Sequence, residues 1–101
     1  MLMAKKKLII ISIDDVRKVL SDMGLTQVIH LTDEEIGKAS LLFDLGLEDH
    51  EIPEFLERIE KLKYVYLDKE AIISFLHNGY TTNVYDFGAF ISEHFYTTRP
   101  M

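Results

Sequence analysis

Apolar residues recur at helical spacing in four separate stretches of this chain, and the residues bounding them are ones that start or stop helices. In the first stretch Ile13, Val16, Val19, Leu20 and Met23 fall on one face. Ser12 stands where a cap belongs, Asp15 occupies the third helical position, and Gly24 is placed to stop the helix in a left-handed turn. The second stretch turns Ile52, Phe55, Leu56, Ile59 and Leu62 inward and Glu51, Glu54, Glu57, Arg58 and Lys61 outward. Pro53 sets its start, because proline is tolerated in a first turn and costly deeper in a helix. In the third, Asp68 caps a helix through Ala71, Ile72, Phe75 and Leu76, closed by Asn78 and Gly79. In the fourth, Asn83 caps a stripe of Val84, Phe87, Phe90, Ile91 and Phe95, with Asp86 at its third position. The expected class is all-α, a small four-helix bundle.

Between these stretches the pattern weakens. Residues 25–47 read as a long connection, with Thr32-Asp33-Glu34-Glu35 as a single turn. Ile36, Leu41, Leu42, Phe43, Leu45 and Leu47 are placed to pin it onto a core, and connections of this length are usually functional. Tyr64-Val65-Tyr66-Leu67 reads as extended or a linker, and the tail to Met101 as frayed.

The 101 residues fit one domain, with a core spanning about 13–95. Hydrophobic residues at 48% and charged residues at 28% argue against a disordered chain. Without cysteine, disulfides, thiolate metal sites and cysteine nucleophiles are excluded, and a reducing cytoplasm is the expected compartment. Lys5-Lys6-Lys7 before Leu8-Ile9-Ile10-Ile11 mimics a signal peptide, but the apolar run meets Asp14-Asp15 too soon and lacks a cleavage site. The net charge of −6 is concentrated: residues 33–60 hold ten acids against Lys38 and Arg58, while the remainder is slightly basic. Such a field disfavours nucleic acid and anionic membrane as partners and favours a basic protein surface.

Catalytic signatures are missing. His30, His50, His77 and His94 show no metal-ligand spacing on a shared helix, so no metal is expected. No glycine-rich phosphate loop and no Gly-x-Ser-x-Gly elbow occurs, and the carboxylates sit in runs that read as solvated faces. A non-catalytic protein is expected.

One long stretch nevertheless has a familiar order. Asp33-Glu34-Glu35-Ile36 leads through Ala39-Ser40 to Phe43-Asp44-Leu45-Gly46-Leu47, and Asn83-Val84-Tyr85-Asp86-Phe87-Gly88-Ala89-Phe90-Ile91 follows near the far end. Both segments resemble the acyl carrier proteins, and the likeness covers most of residues 13–95. The resemblance implies an antiparallel four-helix bundle whose long first loop ends at a serine carrying 4′-phosphopantetheine. That position here is Asp49, whose carboxylate would form a hydrolysable mixed anhydride instead of a phosphodiester, and no serine lies between Ser40 and Ser74. No phosphopantetheine cofactor is therefore expected. His50 stands where the family has a leucine beside the modified serine, and Pro53 delays the helix.

The resulting expectation is a carrier-like protein that binds enzymes of fatty-acid, polyketide or related acyl metabolism. Glu48, Asp49, His50, Glu51, Glu54 and Glu57 would form the partner-binding face. Asp49 would imitate the charge of the attached phosphate or simply serve the helix start. The alternatives are a working carrier modified at Ser40 or Ser74, and a generic helical interaction module using its surplus of tyrosines.

Overall fold

The computed structural model describes residues 10–79, 82–94 and 96–98; residues 93, 94 and 96–98 are described as backbone. Lys5–Lys7, Tyr80, Phe95 and the last three residues lie outside them. Among the described residues the chain is all-α in class, with five α-helices, two 3-10 turns and a short two-stranded ribbon. No described helix is long and apolar enough to cross a membrane.

The helix ends follow local chemistry. Helix α1 (Ile13–Asp22) starts at a reciprocal box: Ser12 Oγ accepts the Asp15 N–H, and Asp15 Oδ2 accepts the Ser12 N–H. It stops where Gly24 takes φ +96°, which lets the Leu25 N–H reach back to the Leu20 carbonyl at 2.9 Å. Helix α2 (Asp33–Lys38) repeats the box with Thr32 and Glu35. The expected single turn is thus a six-residue helix, a fifth one inside the connection. A 3-10 turn (Thr26–His30) precedes it, and Arg17 of α1 ties the segment down through the Leu31 carbonyl and Asp33. Helix α3 (Ile52–Lys63) has Pro53 in its first turn, α4 (Lys69–Asn78) is capped by Asp68, and α5 (Val84–His94) by Asn83 Oδ1.

The buried set joins all of these. Val16, Val19 and Leu20 of α1 meet Phe55, Leu56 and Ile59 of α3, Ile72 and Leu76 of α4, and Val84, Phe87 and Ile91 of α5. Ile36, Leu41, Leu45 and Leu47 pin the long connection onto this core, as the sequence predicts. Phe43 does not: it is 72% exposed, because the turn at 41–44 carries it outward. Leu62 is 38% exposed rather than buried, whereas Glu60, next to the buried Ile59, is covered. The core at that end is completed by β1 (Val65–Leu67), which approaches α3 on the Glu60 side.

Strand β1 pairs antiparallel with β2 (Tyr96–Thr98), with Tyr66 opposite Thr97. The tail expected to be frayed is therefore paired over these three residues. Between α3 and β1, Tyr64 adopts the left-handed conformation (φ 59°), the turn that reverses the chain. A second tertiary contact was hidden from sequence. Gly37 of α2 lies against the Tyr85 ring of α5, where any Cβ would collide with that ring. Glycine there permits close approach of the two helices.

Asp15 also ties α1 to the end of α3, since Lys63 Nζ lies 2.6 Å from its Oδ2. Burial acts to raise this carboxyl, but Lys63 and the hydrogen bonds from Ser12 together outweigh it and hold it below its ordinary value of 3.8. A depressed folded value means stability that is present above the unfolded value and lost as pH falls through the folded one. Wild type should therefore exceed Asp15→Asn in unfolding free energy above about pH 5, with the gap closing below about pH 3. Urea titrations at several pH values measure it; an unchanged gap at the acid end would refute this account.

Candidate functional site

The residues that form the expected partner-binding face sit at the start of α3. Leu47 and Ile52 are buried on either side of a single 3-10 turn (Asp49–Glu51), so the core fixes the backbone that presents it. The turn closes through the Glu51 N–H to the Glu48 carbonyl at 2.8 Å. Glu48, and not Asp49, holds the cap position, and the Glu51 side chain accepts the Glu48 N–H at 3.1 Å. Glu48, Asp49 and His50 are exposed and Glu51 is half-buried. Glu54 and Glu57 follow on the solvent side of α3, where Arg58 Nε lies 3.4 Å from Glu54. Negative charge at this helix start is favoured by the positive end of the α3 dipole.

Two histidines join the acids. His50 Nδ1 is 3.3 Å from Glu48 Oε2, and His77 Nε2, arriving from the end of α4, is 3.5 Å from Asp49 Oδ1. The His77 contact joins residues 28 apart and has no local signature. Ligand atoms of Glu48, His50 and Glu51 all lie within 4.8 Å of one another. Helical spacing gave His50 no partner and so missed this grouping; the signal was a histidine with glutamates two before and one after it.

The two serines weighed as modification sites differ sharply. Ser40 is 2% exposed, and its Oγ accepts the N–H groups of Phe43 and Asp44, both at 3.0 Å. Asp44 returns the bond through Oδ2 to the Ser40 N–H at 2.9 Å. Ser40 thus builds the turn that leads into Leu45-Gly46-Leu47, where Gly46 has φ +81°. Ser74 lies exposed on α4.

Elsewhere, an open, largely apolar groove of about 310 Å³ runs between residues 10–13 and α5, lined by Ile10, Ile13, Val84, Tyr85 and Ala89. It is separate in sequence from the acidic helix start. Compared with family models, curated proteins and solved structures, the chain finds no match in any of the three.

Proposed function

We propose that this chain is a non-catalytic, acyl-carrier-like docking protein that meets a basic surface of an enzyme of acyl metabolism in the cytoplasm. In this reading α1, α3, α4 and α5 are the four members of an antiparallel bundle, and α2 belongs to the long first loop. The observation that carries it is the acidic run at the start of α3, with Glu48, Asp49, Glu54 and Glu57 exposed and Glu51 half-buried. Asp49 occupies the position where the resembled family holds its serine. Charge of this kind sets the orientation and on-rate of docking, and neighbouring apolar contacts supply affinity. Ser40, buried with its hydroxyl engaged, speaks against a carrier modified there.

A single reaction mixture tests the proposal: the protein, coenzyme A and a broad-specificity phosphopantetheinyl transferase. Intact mass should stay unchanged while a control carrier is fully modified. Calorimetry should detect a complex with the transferase that weakens with added salt and with Glu48→Gln/Glu54→Gln/Glu57→Gln. A mass gain would overturn the non-carrier reading, and absence of a complex would overturn the docking reading.

A second reading, a generic helical interaction module, is favoured by a different observation. Tyr64 is 70% exposed, and Tyr66 and Tyr85 are about half exposed. Aromatic side chains left in water are the kind that interfaces recruit.

A further inference from the structure

The acidic start of α3 contains a donor set that differs from a plain cluster of carboxylates. His50 contributes an imidazole, Glu48 and Glu51 each contribute a carboxylate, and the three ligand atoms lie within 4.8 Å of one another. The His50 Nδ1 to Glu48 Oε2 separation is 3.3 Å. Two ligands bound at about 2.1 Å around a tetrahedral ion stand about 3.4 Å apart, so this pair already has the spacing a bound cation imposes. All three residues come from four consecutive positions on one turn, which the buried Leu47 and Ile52 anchor. Little backbone ordering is left for an ion to impose.

The charge balance points the same way. Glu48, Asp49, Glu51 and Glu54 fall within seven residues. Arg58 pairs with Glu54, whereas among the described residues neither Glu48 nor Glu51 pairs with a lysine or arginine. We propose that Glu48, His50 and Glu51 bind one divalent transition-metal ion of the Zn²⁺ or Ni²⁺ kind. Imidazole with carboxylate suits these ions, whereas Ca²⁺ needs six to eight oxygen ligands and Mg²⁺ an octahedral oxygen shell. Three protein donors leave at least one position for water or for a donor from another molecule. The site stands independently of whether the acidic helix start docks an enzyme.

Calorimetric titration of the 101-residue chain with ZnCl₂ and with NiCl₂, in buffer free of chelators, tests the proposal. Wild type should bind one ion at this site, and His50→Ala and Glu48→Gln should each weaken that event by about tenfold or more, since loss of even an outer-sphere partner costs about 10–100-fold. His30→Ala removes an exposed histidine of the first 3-10 turn and should leave it unchanged. CaCl₂ and MgCl₂ should give no comparable event. These side chains are solvent-facing or half-buried, and circular dichroism verifies that each variant remains folded. Equal affinity in wild type and His50→Ala, or an equal loss in His30→Ala, would overturn the assignment.

Discussion

Replacing Phe87 by alanine is expected to lower the unfolding free energy by about 3–5 kcal/mol, the range for removing a fully buried aromatic ring. Phe87 is completely buried on α5, and its ring lies 5.7 Å from that of Phe55 on α3, tilted by 49°. The substitution removes the apolar area of the ring, its tilted aromatic contact and the atoms that fill the space between the two helices. A domain of this size has roughly 5–15 kcal/mol of total stability, so the loss is a large fraction of it. Urea unfolding followed by circular dichroism should show a midpoint shifted far down with an unchanged slope. Phe87→Leu keeps much of the apolar volume and should lose markedly less. A loss below about 0.5 kcal/mol for the alanine variant, typical of a surface position, would refute this account of the core.

Glu60 is the second position where a large effect is expected, and it is a charged residue. The residue is 4% exposed, and its carboxylate accepts the Leu67 N–H at 2.7 Å through Oε2 and meets Lys69 Nζ at 2.8 Å through Oε1. One side chain of α3 thus satisfies a backbone donor of β1 and the first residue of α4. Glu60→Ala strands the Leu67 N–H in a buried place, which costs about 1–3 kcal/mol. Lys69 is about one-third exposed, so water screens the ion pair and its loss adds less than in a dry interior. Glu60→Gln retains an oxygen for Leu67 and should lie between alanine and wild type. Leu67 amide hydrogen exchange should quicken in the alanine variant before that of the α1 amides. Wild-type stability and unchanged Leu67 protection in Glu60→Ala would show that β1 is held in some other way.

The ends of the helices were legible in the sequence because capping is local. Ser12 with Asp15, Asp68 with Ala71 and Asn83 with Asp86 each act across three residues, so sequence spacing carries their geometry. The inward stripes of α1, α4 and α5 followed for a similar reason, since the 3.6-residue period fixes which residues share a face. Thr32 with Glu35 was visible too, and the error there was one of extent: Ile36 and Gly37 are buried under α5, and that packing extends a turn into α2. The candidate site was half legible. Its acids were found by charge density, whereas the grouping of His50 with Glu48 and Glu51 and the arrival of His77 were not.

The amino-acid sequence by itself determined the all-α class, where α1, α4 and α5 begin, and the acidic character of the start of α3. Tertiary structure decided which flank of α3 faces the core in its last turn, burying Glu60 and leaving Leu62 partly exposed. It also decided that residues 96–98 pair with β1, that Gly37 meets Tyr85, and that His77 reaches Asp49. The physical reason is range. Capping and helical periodicity act within a turn or two, whereas strand pairing and helix contact depend on segments brought together by burial of the whole core.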